Sequence, residues 1–304
     1  MPQVKANGLS FEYESFGRTV DPAILLIMGF SAQMTMWPRE LCEGLASKGY
    51  RVVRFDNRDV GKSEKLERLG LFNPAEAFAK AAAGQTFPAP YVLNDMAADA
   101  VGVLSALDIA DAHIVGASMG GMIAQLVAVN HPTRTRSVTS IMSTTSRPGL
   151  PPAKPEAMAV LMTPPANTER ETRIAMAMKA WRIIGSVGPL AADDAELRKV
   201  AEQEVDRVPY YPQGIARQLV GIVASPPRHE MLKNVKAPAL VIHGEADPLV
   251  PIDGGRDTAA SIPGAKLVTV PYMGHDFTQK LVPIYVGEIG GFVTEVDATR
   301  TKAA

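Results

Sequence analysis

Ser118 stands in Gly116-Ala117-Ser118-Met119-Gly120, between an apolar run at 112–117 and a helix-forming run at 122–130. A serine on so sharp a strand-to-helix turn has a strained backbone and an exposed hydroxyl, as a nucleophile requires. Taken alone the pattern also describes a small-residue turn; its place between strand and helix points to chemistry. A serine hydroxyl is a weak nucleophile at neutral pH and needs an adjacent base. Histidine suits that task because its pKa lies near the working pH. The chain has five histidines. His113 falls early in a strand, His131 closes the helix after Ser118, and His229 lies where a long helical stretch ends. His243 ends a strand. His275 follows Val270-Pro271-Tyr272-Met273-Gly274, on a loop past the C-terminal end of the last strand. Catalytic groups of open parallel sheets gather at that edge, which favours His275.

The base needs an acid that orients it and stabilises the imidazolium. Asp247 lies past the strand at 239–243, on a loop stiffened by Pro248 and Pro251. Its rivals are Glu245, which can point outward, and Asp253 and Asp257, which read as first-turn residues of the next helix. Ser118, Asp247 and His275 then follow the Ser…Asp…His order that goes with this kind of serine turn. Such a set performs acyl transfer, and the tetrahedral intermediate needs backbone N–H groups facing its oxygen. Met119, next after the serine, supplies one. Phe30, in the loop after the apolar run 23–28, supplies the other. The charged stretch Asp56-Asn57-Arg58-Asp59-Val60-Gly61-Lys62-Ser63 offers Arg58 as an anion clamp. The structural reading is preferred: its charges pair with one another and with loop backbone. No phosphate loop, zinc spacing or dinucleotide turn occurs, so no metal or organic cofactor is implied.

Six apolar residues, 23–28, precede Phe30 and read as a buried strand. Residues 4–16 alternate around Asn7-Gly8 and read as an antiparallel hairpin. Further strands are expected at 50–55, 112–117, 136–142, 239–243 and 266–270. Helices are expected at 37–48, 92–107 (capped by Asn94 or Asp95), 122–130, about 253–261 and 282–296. Strands alternating with helices imply an α/β fold, with a mainly parallel sheet covered on both faces. Residues 146–232 break the rhythm. They open on a proline-rich run and then carry only helices, near 169–184, 193–206 and 213–223. Because strand–helix alternation resumes afterwards, they read as an insertion into one core, 1–145 with 233–304, rather than a separate domain. The tail 297–304 lacks an apolar period and reads as mobile.

The chain has 304 residues, 46% of them hydrophobic, and a formal net charge of −1. That balance gives no steering toward nucleic acid or an anionic membrane. A single cysteine, Cys42, excludes an internal disulfide and fits a reducing cytoplasm. No charged segment followed by an apolar stretch opens the chain, so no signal peptide is read. No apolar run noted is long enough to cross a bilayer. Monomer and homodimer both remain open.

On the motifs Gly116–Gly120, Asp56–Ser63 and Met28-Gly29, the chain from about residue 4 to 296 resembles an α/β-hydrolase, in particular aclacinomycin methylesterase-type enzymes and related bacterial carboxylesterases. Asp59 stands where the superfamily pattern has glycine, and Met28 where it has histidine. The methylesterase group shares both departures, and the segments 179–183 and 192–196 resemble its cap. The resemblance implies an α/β-hydrolase fold with a helical cap, Ser118 as nucleophile, Asp247 as acid and His275 as base. Met28, Phe30, Met162 and Trp181 are candidates to line the substrate pocket. With Met158, Met176 and Met178, the cap members either form an adaptable apolar cavity or pack as the cap's own core. The expected reaction is hydrolysis of a small-molecule carboxylic ester through an acyl-enzyme, a polyketide-like methyl ester being one form. A serine nucleophile argues against dehalogenase and epoxide hydrolase chemistry. Perhydrolase, carbon–carbon hydrolase and non-catalytic ligand-binding readings stay as alternatives.

Overall fold

A computed structural model describes residues 1–303. Eight strands form one sheet in the order β1-β2-β4-β3-β5-β6-β7-β8. They are β1 (Gln3–Ala6), β2 (Leu9–Phe16), β3 (Ala23–Ile27), β4 (Arg51–Phe55), β5 (Ala112–Ala117), β6 (Thr135–Ile141), β7 (Ala239–Gly244) and β8 (Lys266–Val270). β1 and β2 pair antiparallel through the Asn7-Gly8 turn, and β2 joins β4 antiparallel; every later pairing is parallel. Both turn residues have positive φ, 48° and 76°, the conformation that asparagine and glycine adopt at least cost.

The sheet is buried on both faces, which explains why its central strands are unbroken apolar runs. β3 sends Leu25 and Ile27 into one core cluster, with Val103 and Leu104 of α3 (Leu93–Ala106) and Ile123 and Val127 of α4 (Met119–Asn130). Ile24 and Leu26 enter the opposite cluster, with Leu41 and Leu45 of α1 (Arg39–Ala46) and Tyr285, Ile289 and Val293 of α11 (Val282–Ala303). Burying each such side chain contributes about 1.5–3 kcal/mol. Among the described residues, no helix is long and apolar enough to cross a membrane.

Between β6 and β7 lie α5 (Pro155–Met162), α6 (Arg170–Ile184), α7 (Asp194–Arg207), α8 (Pro212–Val223) and α9 (His229–Leu232). α5 packs on α6, α6 on α7, and α8 on α2 (Pro74–Ala82). α9 instead packs on α4 and on α10 (Ile252–Ser261) of the core. The chain leaves and re-enters the core at one point. Arg228 N–H donates to Thr145 O at 2.8 Å, and its buried guanidinium reaches Thr144 O at 3.0 Å, Ser146 Oγ at 2.9 Å and Gln125 Oε1 at 3.0 Å. These are neutral acceptors, and burial lowers the Arg228 pKa to about 10.

Several local expectations need correction. α4 begins at Met119 rather than residue 122, because Gly120 and Gly121 are needed for close packing rather than for breaking the helix. α3 is entered at Val92, and Asp95 caps it from inside, its carboxylate accepting from Val92 N–H at 2.8 Å. Asp257 lies past the first turn of α10 and pairs with Arg147 at 2.8 Å. The short helices α2, α5 and α9 lie outside the expected set. The tail is helical to residue 303, and Ala304 lies outside the described residues. Polar contacts replace the missing apolar period. Asp297 lies 3.3 Å from the buried His113 ring and 3.4 Å from Arg136, while Arg300 pairs with Asp111 at 2.7 Å. Asp297→Ala should therefore lower stability by about 1–3 kcal/mol, since it leaves buried polar groups unmatched. Urea denaturation checks this, and an unchanged midpoint would show the tail to be dispensable.

Candidate active site

β5 carries Ser118 to the C-terminal edge of the sheet. The ladder reaches the serine itself, whose N–H donates to Ile141 O at 2.9 Å. There φ switches to 55° with ψ −121°, and α4 starts at the next residue. A non-glycine residue held in such a conformation stores on the order of 1–3 kcal/mol. Backbone contacts enforce it. A Cβ on Gly116 would lie 2.0 Å from Gly120 O, and one on Gly120 would lie 2.0 Å from Ile27 O. Ser143 Oγ donates to Ser118 O at 2.7 Å and fixes the turn from the β6 side.

The loop after β7 brings Asp247, and the loop after β8 brings His275, to this serine. His275 Nε2 lies 2.9 Å from Ser118 Oγ, and Nδ1 lies 2.7 Å from Asp247 Oδ2. An ionised carboxylate only accepts, so Nδ1 carries the proton and Nε2 is left with a lone pair toward the hydroxyl. Asp247 Oδ1 accepts from Leu249 and Val250 N–H, each at 2.9 Å. The side chains of His275 and Asp247 are largely removed from water, Asp247 completely, while Ser118 is half-buried.

The rejected candidates lie elsewhere. Buried His113 sits 2.8 Å from Ser137 Oγ near the opposite sheet edge. His131 follows α4 as its C-cap. His243 is buried below Asp247, 3.8 Å from its carboxylate; burial lowers its pKa, and its Nε2–H donates to Val250 O at 2.8 Å. Glu245 is exposed and accepts from Thr269 Oγ1. The Cys42 thiol is buried and pushed up to about 12, which removes it as a nucleophile.

Met119 N–H, at the start of α4, and Phe30 N–H, after β3, have no backbone acceptor among the described residues. The two segments adjoin: a Cβ on Gly29 would lie 3.0 Å from Ser118 Cβ and 3.6 Å from its Oγ. Met28 is buried in the α1–α11 core cluster, and Trp181 of α6 packs against that cluster's edge. Trp181 lines a small crevice with Met36, Leu197, Val200 and Phe277. Met162 ends α5 with its side chain exposed. Phe30 packs against the α3–α4 cluster. Met28 and Trp181 thus share one cluster, while Phe30 packs on the opposite one and Met162 faces outward.

The charged loop after β4 is paired, but its ion pairs run to partners outside the loop rather than within it; only contacts such as Lys62 N–H to Asp56 Oδ2, at 2.8 Å, use loop backbone as expected. Arg58 meets Asp99 at 2.6 Å, Asp59 meets Arg217 of α8 at 2.8 Å, and Asp56 meets Arg207 of α7 at 2.8 Å. The sequence did not reveal that two of these partners come from the α5–α9 segment. It also missed Asp276, whose carboxylate accepts from Ser186 N–H at 2.8 Å while His275 N–H donates to Ile184 O at 2.7 Å. These bonds tie the end of α6 to the histidine loop. Burial pushes Asp276 up to about 6. Glu204 of α7 was missed too: its carboxylate accepts from Gln33 N–H at 3.3 Å and from Thr35 Oγ1. No local signal marks this seam: polar residues at 204, 207, 217 and 218 read as solvated until α7 and α8 are placed against the core.

The alpha/beta hydrolase fold family matches residues 22–278, and the chain belongs to that family. Among its relatives is the rhodomycin D methylesterase DauP of Streptomyces sp. (strain C5), 29% identical over 86% of this chain and 87% of that protein. The rhodomycin D methylesterase DnrP of Streptomyces peucetius is 28% identical over the same shares. A meta-cleavage product hydrolase from Pseudomonas fluorescens IP01 is similar in structure, with a TM-score of 0.74 and 20% identity over 97% of this chain and 98% of that one.

Loss of water in the seam pushes Glu204 up to about 7, against an ordinary value of 4.5. A carboxyl raised on folding contributes stability that is complete below its unfolded pKa and is lost as pH rises through the folded value. Between pH 4.5 and 7, wild type should therefore lose stability relative to Glu204→Gln, whose amide does not titrate. Urea midpoints of both proteins across that range measure the effect; parallel curves would contradict it.

Proposed function

We propose that this chain hydrolyses carboxylic esters through an acyl-enzyme on Ser118. The observation that carries the reading is the continuous contact Asp247–His275–Ser118 at a left-handed serine between strand and helix. His275 Nε2 takes the hydroxyl proton as Oγ attacks the ester carbonyl. The electron pair of the C=O bond moves to oxygen, where the N–H groups of Met119 and Phe30 receive it. Losing one such donor typically costs about 2.7–4 kcal/mol of barrier. Collapse of the intermediate expels the alcohol, which takes its proton from His275. Water then attacks the acyl group, with His275 again as base, and the acid leaves as Ser118 regains its proton. Asp247 holds the imidazole in the required tautomer throughout. No cofactor takes part.

In this reading residues 146–232 form a cap on the core of residues 1–145 and 233–304. Its fastening to the loops of Phe30 and His275 supports that role, and the cap decides which acyl or alcohol group enters. The single buried cysteine supports a cytoplasmic setting. A narrower reading, the methyl ester of a bulky polycyclic acid, is favoured by the rhodomycin D methylesterases, 29% and 28% identical over 86% of the chain.

Nitrophenyl esters from acetate to palmitate, assayed beside Ser118→Ala, test the general reading. The variant should lose roughly 10⁴-fold or more in kcat, as removal of a serine nucleophile does elsewhere; equally slow hydrolysis by both proteins would sink it. Methanol release from methyl esters of polycyclic acids tests the narrower one, and its absence alongside nitrophenyl ester turnover would count against methyl esters alone.

A further inference from the structure

The residue after Phe30 is held by a side chain from outside the core. Gln218 of α8 is fully buried. Its Oε1 accepts from Ser31 N–H at 2.9 Å, and its Nε2 donates to Arg58 O at 2.8 Å. Ser31 has a φ of 56°, a conformation that a serine keeps only when its surroundings hold it there. On the other side of Gly29, Asn57 Nδ2 donates to Met28 O at 2.8 Å. The peptide groups on either side of Gly29-Phe30 are therefore both tied, and both ties return to neighbouring residues of one loop, Asn57 and Arg58. The loop is itself rigid, because Arg58 is paired with Asp99 and Asp59 with Arg217 of the same helix as Gln218.

We propose that Gln218 is a positioning residue for ester hydrolysis: by pinning Ser31 N–H, it fixes the direction of the Phe30 N–H toward the oxygen on which charge develops. The proposal rests on the reading of Ser118 as nucleophile. An oxyanion donor contributes because it is aligned before the reaction starts, and its effect falls on the transition state rather than on substrate binding. Gln218 also gives the α5–α9 segment a part in the chemical step, since its amide bridges α8, the Phe30 loop and the loop after β4. Without it, the Phe30–Ser31 peptide would lose its direct tie, and the next anchor along the loop would be Gln33, held by Glu204.

Gln218→Met keeps length and volume while removing both hydrogen bonds. With p-nitrophenyl acetate, kcat should fall about tenfold at nearly unchanged KM, less than the 10²–10³ of losing a donor outright. Affinity for a trifluoromethyl ketone, whose serine adduct carries an oxyanion, should fall by a similar factor. Gln218→Glu keeps an acceptor facing Ser31 N–H and should retain more of the kcat than the methionine variant. Wild-type kcat and ketone affinity in Gln218→Met would overturn the proposal. So would a fall in kcat matched by a proportional rise in KM, or one explained wholly by a smaller folded fraction in thermal melts. If Gln218→Met does not fold, Gln218→Leu, which also lacks an acceptor for Ser31 N–H, decides: a reduced kcat at nearly constant KM supports the role, and wild-type kcat overturns it. Ser118→Ala is assayed in parallel. If that variant is fully active, the nucleophile reading fails; if it is inactive while the Gln218 variants match wild type, only the positioning role fails.

Discussion

The whole site hangs on the close approach of two backbones. Gly116 at the end of β5 and Gly120 in the first turn of α4 leave no room for a Cβ, so α4 settles directly against the ends of β3 and β5. That approach forces Ser118 into a left-handed conformation and lifts its hydroxyl off the sheet edge. It also sets the start of α4, and with it Met119 N–H, beside the loop of Phe30. Substituting either glycine would move the nucleophile and its flanking N–H groups together. The cost of the strained serine is spread over the ladder bond to Ile141, the Ser143 contact and the buried face of α4.

Around this centre, the loops are tied by charges and amides rather than by apolar packing. Asp56, Arg58 and Asp59 lie on one loop, are all buried, and each is paired. Removing one partner of a buried pair typically costs 3–5 kcal/mol, because a charge is left without compensation. Such pairs add little net stability over apolar packing but demand one geometry. Here the demanded geometry links α7 and α8 to the loop after β4, while Asp276 links α6 to the loop of His275. The helices between β6 and β7 are thus joined to the edge that carries the serine at several separate points.

Much of the core was legible because periodicity follows directly from burial. Runs such as 23–28 and 112–117 must be strands buried on both faces, and the order of Ser118, Asp247 and His275 at strand ends followed from them. The seam was not legible, since a glutamine or glutamate on a helix usually faces water. Nothing local distinguishes Gln218, Glu204 and Arg207 from solvated residues until α8 and α7 are placed against the core. The tail was misread for the same reason. Asp297 and Arg300 hold their helix through His113, Arg136 and Asp111, residues more than 160 positions away in the chain.

Arg228 gives the architecture a further property. By bonding to Thr144, Thr145 and Ser146, it brings the two ends of an excursion of about eighty residues to a single junction, and loop-closure entropy grows only slowly with the length enclosed. The registers of β6 and β7 are therefore insulated from what lies between them. A change in the length of chain enclosed between 146 and 228 would cost little closure entropy at the junction itself, so the demand on helices 155–223 comes from their fastenings to the loops after β3 and β4 rather than from their span.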